Sequence, residues 1–213
     1  MKKLVIIGAG DFGREVAWMV ERINAVSQEW DLIGFVDDNL EIQNTKIGGY
    51  PVIGGIDSLC SINEDIYTVC SVGTGVTRKK IMDKLTGISN VHLATLIDPA
   101  AIIGRNVKIE EGCIICAGTI ITVDCWIKSN VIINLNCTVG HDAVIDDFCT
   151  VQPGCNLSGR IHINSCVDVG TGSKIIQGKT ICSNVVLGAG AVVVRDITIP
   201  GTYVGVPVKM VNK

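Results

Sequence analysis

The sequence predicts a short α/β domain of Rossmann-like βαβ type followed by an all-β parallel β-helix. Three observations predict it. A glycine-rich loop joins an apolar run to a helical pattern near the N-terminus. An aliphatic residue recurs at every sixth position through the second half. Only 4% of the 213 residues are aromatic, whereas 24 are glycine.

Residues 4–7 read as a first strand, and Gly8-Ala9-Gly10-Asp11-Phe12-Gly13 follows at once. A helix is expected from about residue 14 to 26, with Val16, Val20 and Ile23 on one face. A second strand at 32–36 ends in Asp37-Asp38, so an acid stands 24 residues beyond the last glycine. This β-GxGxxG-α-β order is a nucleotide-binding pattern. The glycines allow a tight turn and close backbone approach, and the helix N-terminus attracts phosphate.

A third strand at 67–72, the turn Gly73-Thr74-Gly75 and a helix at about 77–85 come next. Arg78, Lys79 and Lys80 cluster near the start of that helix, where cations oppose the helix dipole. The cluster therefore faces either an anionic ligand or open solvent. Residues 1–96 hold only one βαβ half, whereas a dinucleotide fold needs two. That argues against a dehydrogenase and suits a mononucleotide carrier such as a nucleotide sugar.

From Ile97 to Val193, every sixth residue is Ile, Val or Leu, seventeen in succession. The position four residues later, from Ala101 to Ile197, is mostly small or β-branched, and five of the ten cysteines occupy it. A period of six is neither helical nor that of a plain strand. It is the period of a hexapeptide β-helix. Each hexad supplies one short strand and one turn, and three hexads make a triangular coil of 18 residues. The aliphatic residue points inward. The second inward position lies near a corner that only a small side chain fits, which accounts for cysteine as a small hydrophobe. Seventeen hexads make between five and six coils, within a second unit spanning residues 97–213.

Composition excludes several classes. With 18 Lys+Arg against 21 Asp+Glu the net charge is −3, which argues against a nucleic-acid partner. At 47% hydrophobic the chain is not a disordered one. No apolar run is long enough for a membrane span. Met1-Lys2-Lys3 leads straight into the first strand, so no signal peptide is expected, and the expected compartment is the reducing cytoplasm. Cys113 and Cys116 have the spacing of half a zinc site, but no second such pair completes it, so no metal is expected.

The chain as a whole resembles the bacterial sugar-nucleotide acetyltransferases. These include UDP-4-amino-sugar and GDP-perosamine N-acetyltransferases and the sialic acid O-acetyltransferase-like group. The resemblance rests on the glycine loop, Asp37-Asp38, Gly73 with Arg78, the hexads, Val139-Gly140-His141-Asp142 and the terminal Gly205-Val206-Pro207. It implies a left-handed β-helix and a homotrimer, with acetyl-CoA bound along the cleft between neighbouring β-helices. It implies His141 as catalytic base, made more basic by Asp142. It places the sugar nucleotide on Gly10, Asp11, Phe12, Asp37, Asp38 and Gly73. It places acetyl-CoA near Thr150, Gly159, Thr171 and Ala189. The implied activity is direct acetyl transfer to the amino group of a UDP- or GDP-linked 4-amino-4,6-dideoxy sugar destined for surface glycans. The alternatives are O-acetylation of a sugar such as a sialic acid, a serine O-acetyltransferase, and a non-enzymatic β-helix binding module.

The residues support the choice of histidine independently. His92 lies in an apolar segment and His162 beside Ile163, and both read as structural or surface residues. His141 is third in its hexad, where side chains leave the corner outward. The residue stacked on it one coil later is Gly159. With strands about 4.8 Å apart, that glycine is expected to leave an open slot and a free N–H, where a thioester carbonyl finds an oxyanion donor. A histidine suits proton removal at neutral pH, and Asp142 can orient it.

Overall fold

In the computed structural model, which describes residues 1–211, the N-terminal part builds a four-stranded parallel sheet. Its strands are β1 (Lys2–Ile7), β2 (Trp30–Val36), β3 (Ile66–Cys70) and β4 (Val91–Leu93), arranged β2-β1-β3-β4. Helix α1 (Asp11–Ser27) joins β1 to β2, and α2 (Gly75–Leu85) joins β3 to β4. The strand order reverses between β1 and β3, and in open parallel sheets ligands bind beyond the strand ends at such a point. The Gly8–Gly10 turn and Gly73 lie there. Residues 212 and 213, part of the expected second unit, fall outside the described residues.

Helix α1 starts at Asp11, three residues earlier than its period suggests. Gly8 at φ +96° and an extended Gly10 complete the turn so quickly that the helix begins at once. A Cβ on Gly13 would collide with the Gly8 carbonyl oxygen, so glycine is what lets α1 close on β1. Val16, Val20 and Ile23 are buried as expected, together with Met19. A short hairpin, Lys46–Ile47 with Tyr50–Pro51, and a 3-10 turn, Ile56–Ser61, fill the stretch before β3.

The second part is the β-helix. Seventeen strands of two or three residues, from Leu96–Ile97 to Val192–Val193, each end on the expected aliphatic residue. They stack in parallel at a spacing of one 18-residue coil, as in Ile114↔Ile132 and Ile132↔Thr150. Three faces result. The first holds the strands ending at Ile97, Ile115, Ile133, Val151, Val169 and Leu187. The second runs from Ile103 to Val193, and the third from Ile109 to Ile181. The inward aliphatic positions and most of the second inward positions form one continuous core. No helix among the described residues is long and apolar enough to cross a membrane.

The corner cysteines do more than fill small spaces. Cys113 donates to the Lys128 carbonyl at 3.0 Å, Cys125 to Gly140 at 3.1 Å, Cys137 to Gln152 at 3.2 Å and Cys149 to Asn164 at 3.0 Å. Thr119 and Ser173 make the same bond, to Asn134 and Gly188. Each donor reaches the carbonyl 15 residues ahead, at a corner of the next coil. The reading of cysteine as a mere hydrophobe is corrected accordingly. The thiol is a weak donor that satisfies a buried carbonyl. Burial pushes the Cys113 thiol up to about 12, so it stays protonated and able to donate.

The N-terminal sheet docks on the first face. Leu96, Ile114 and Ile132, which point outward from that face, are buried against Val16, Met19 and their neighbours on α1. Asp98, at the base of the β-helix, accepts from Arg22 Nε at 2.8 Å and Nη2 at 3.1 Å, tying α1 down.

Candidate active site

Two corners of the prism border its second face. The corner between first and second faces carries Asn134, Gln152 and Thr171. The corner between second and third faces carries His141 and Gly159.

His141 Nδ1 lies 2.7 Å from Asp142 Oδ2, and both side chains are half-exposed. Asp142 sits at φ +57°, in the left-handed position that recurs in the hexads as Asn106, Asp124, Asn130 and Asn136. That turn folds its carboxylate back onto the neighbouring ring. Donation of Nδ1–H to the carboxylate leaves the lone pair on Nε2. A Cβ on Gly159 would fall 2.5 Å from Nε2 and 2.7 Å from Cε1. The expected open slot is therefore filled by the imidazole itself, because coil stacking lays the ring directly on the glycine. Gly159 is itself buried, and Gly140 lacks the Cβ that would stand 2.5 Å from its amide. Among the described residues that N–H donates to no backbone carbonyl.

A cleft of about 360 Å³ separates the glycine loop from the other corner. Asp11, Phe12, Glu15 and Gly73 form one wall, and Asn134, Gln152 and Thr171 stand on the other. The structure thus brings three of the expected sugar-nucleotide residues together. Gly10 borders the loop with nothing within 4 Å of a Cβ built on it. Asp37 braces the glycine loop and Asp38 the start of the 3-10 turn, and neither lines the cleft. Asp37 Oδ2 accepts from Ala9 N and Oδ1 from Asn39 N, both at 2.9 Å, and Asp38 Oδ1 accepts from Ile56 N at 2.9 Å. Glu15, Asn134 and Gln152 were not singled out by sequence. Glu15 reads as an exposed helical position, and the 18-residue spacing of Asn134 and Gln152 points to a shared corner only once the docked face is known.

The expected acetyl-CoA contacts do not meet within one chain. Thr171 and Ala189 stack on the first corner, Gly159 lies on the second, and one six-residue side, at most about 20 Å, separates the corners. Thr150 is also among the residues that line the nucleotide cleft. It is 1% exposed, and its hydroxyl donates to the Gly73 carbonyl at 2.5 Å and accepts from Arg78 at 3.1 Å. Its side chain is committed to the junction between the two parts of the molecule, because the first face is where the N-terminal sheet docks.

The basic cluster divides: Lys79 and Lys80 are exposed, as on a solvated face, and Arg78 is not. Arg78 is fully buried, and Lys79 pairs with Asp83 at 2.9 Å. The anion at the start of α2 is the chain's own Asp168, whose Oδ1 accepts from Gly75 N at 3.4 Å. Burial raises the Asp168 carboxyl above its ordinary range. His92 and His162 pair with Asp65 and Asp146 at 3.2 Å and 3.1 Å, away from this cleft.

A nucleotide-type loop at a sheet switch point, docked on a hexapeptide β-helix whose corner bears an exposed His–carboxylate pair, defines a hexapeptide-repeat acyltransferase. Residues 3–85 match the family described as PglD N-terminal domain. The chain is 32% identical over 121 residues to UDP-N-acetylbacillosamine N-acetyltransferase of Bacillus subtilis (strain 168). That alignment covers 55% of this chain and 52% of the relative, about half the length of each. The acetyltransferase domain of PglB from Neisseria gonorrhoeae FA1090, solved with acetyl coenzyme A, is 32% identical with a TM-score of 0.89 over 99% of both chains. Perosamine N-acetyltransferase from Caulobacter crescentus, solved with CoA and GDP-perosamine, is 27% identical with a TM-score of 0.88, covering 100% of this chain and 98% of that one. The chain belongs to the sugar-nucleotide acetyltransferase family.

Proposed function

We propose that this protein transfers an acetyl group from acetyl-CoA to the amino group of a nucleotide-linked 4-amino sugar. The observation that carries the reading is the His141–Asp142 pair lying on Gly159, one prism side away from a cleft walled by the nucleotide loop. His141 Nε2 takes a proton from the acceptor nitrogen as that nitrogen bonds to the acetyl carbon. Asp142 stabilises the imidazolium that forms. The Gly159 N–H, which donates to no backbone carbonyl among the described residues, donates to the developing oxyanion. As the carbon–sulfur bond breaks, His141 returns its proton to the departing thiolate, and no acyl-enzyme is needed. The titratable groups on the cleft are Asp11 and Glu15, which favour an amino sugar over an anionic sialic acid. The relatives solved with acetyl coenzyme A or with CoA and GDP-perosamine support the same donor and acceptor class.

The proposed division is a nucleotide-sugar unit at 1–96 and an acyl-transfer unit from 97 onward. The proposed assembly is a homotrimer packed through the second face, where Ile102 and Ile120 are 61% and 37% exposed. A three-fold arrangement on that face sets the nucleotide cleft and Thr171 of one copy against His141 and Gly159 of the next. Acetyl-CoA then lies between the two β-helices. The ten free thiols support the reading of a reducing compartment such as the cytoplasm. The test is release of free thiol from acetyl-CoA against UDP-, GDP- and CMP-linked amino sugars. Turnover with at least one of them is expected, and none with any would refute the reading.

A further inference from the structure

Arg78 takes no part in the chemistry above, yet it is the largest of the fully buried side chains. All five of its N–H donors are used, and every acceptor is neutral. Nε donates to the Asn130 carbonyl at 3.0 Å. Nη1 donates to the carbonyls of Val72 at 2.6 Å and Gly73 at 3.0 Å. Nη2 donates to the Cys149 carbonyl at 3.0 Å and to Thr150 Oγ1 at 3.1 Å. Two of these acceptors belong to the loop after β3, and three belong to the β-helix. Thr150 closes the network by donating to the Gly73 carbonyl.

We infer that Arg78 is a positioning residue for the nucleotide-linked acceptor: its guanidinium holds the Gly73 wall of the cleft in one register against the β-helix. Apart from the Arg22–Asp98 pair and the long Gly75 N–Asp168 contact, the rest of the docking surface is apolar, formed by Leu96, Ile114 and Ile132. Apolar burial is non-directional and does not resist a small slide. A planar fork with five fixed donors does. The fit is close at this point, since a Cβ on Gly75 would collide with the carbonyl oxygen of Phe148. The Arg22–Asp98 pair holds α1 to the base of the β-helix, not the loop that borders the cleft. Acyl transfer needs the acceptor nitrogen placed to within about 1 Å, and a displacement of that size can cost on the order of 10²-fold. The nucleotide is gripped by one part of the molecule and the acyl group by the other, so the junction sets that distance.

The inference rests on the proposed reading of the acceptor as a nucleotide-linked amino sugar. The test compares kcat/KM for such a sugar with that for the same amino sugar lacking the nucleotide, in the wild type, Arg78→Met and Arg78→Lys. The ratio of the two values measures what the nucleotide-holding part contributes. In Arg78→Met the ratio is expected to fall roughly 10–100-fold, while kcat/KM for the free sugar and KM for acetyl-CoA stay within about 2-fold. Arg78→Lys, which keeps the charge but not the fork, is expected to lie between and stands in where the methionine variant does not fold. Equal loss with both sugars would overturn the inference and leave Arg78 a stability residue. An unchanged ratio in folded variants would overturn it as well. A wild-type ratio near one would instead overturn the acceptor reading, and the inference with it.

Discussion

Replacing Gly159 by alanine tests the catalytic geometry with one added methyl. The glycine does not occupy the left-handed region, so alanine brings no backbone strain. Its Cβ would lie 2.5 Å from Nε2, 2.7 Å from Cε1 and 2.8 Å from Cδ2 of His141, about 0.9 Å inside the ordinary contact distance of 3.4 Å. The ring must swing away by that amount, and its 2.7 Å bond to Asp142 cannot survive the movement intact. A base displaced by about 1 Å is expected to cost on the order of 10²-fold in kcat. The stability change should stay within about 0.5 kcal/mol, because the ring is half-exposed and free to rotate into solvent. Steady-state thiol release is the assay, run as a cycle with His141→Ala. That single variant is expected to lose roughly 10²–10⁴-fold. Once the imidazole is gone the methyl has nothing to displace, so Gly159→Ala should then cost almost nothing more. Full activity in Gly159→Ala would refute the reasoning. So would an undiminished loss in the His141→Ala background, which would mean that the glycine acts through something other than the ring.

Other outcomes follow from the fold. Cys137→Ser should keep its urea midpoint close to wild type, since Thr119 and Ser173 already make the equivalent bond through oxygen. Cys137→Val should lose about 1–3 kcal/mol by leaving the Gln152 carbonyl without a donor, and equal midpoints would count against the donor role. Ile120→Glu on the second face should give a folded monomer by light scattering and circular dichroism, with transfer activity lost; a trimer that persists would place the interface elsewhere. Burial alone would raise the Asp98 carboxyl, but Arg22 and the Ala100 N–H more than offset it and hold it below the ordinary carboxylate range. Its contribution is therefore present above the unfolded carboxyl pKa of about 3.9 and lost as pH falls through the folded value. Asp98→Asn should melt below wild type at pH 7, and the gap should close in thermal scans below about pH 4.

The sequence by itself determined the strand-by-strand course of the β-helix, because each hexad repeats the same local decision: one aliphatic residue inward, one small residue at the corner, one turn. It also determined the glycine loop, where Gly8 at φ +96° and Gly13 against the Gly8 carbonyl each meet a steric demand within a few residues. The pairing of His141 with Asp142 is equally local, set by a left-handed turn between adjacent residues. What the tertiary structure decided is everything that depends on which face is covered. Arg78 looks in sequence like part of a solvated Arg-Lys-Lys run, and only docking onto the first face brings carbonyls 52 and 71 residues away to its guanidinium. Thr150 has the outward position of an ordinary hexad residue until that same docking buries it. Cys137 finds its acceptor 15 residues ahead because the chain has by then almost completed a coil. The separation of His141 from the nucleotide cleft has the same origin. A repeat makes the three sides of a prism alike, and only the long-range contact with the N-terminal sheet makes one corner the substrate corner and another the catalytic one.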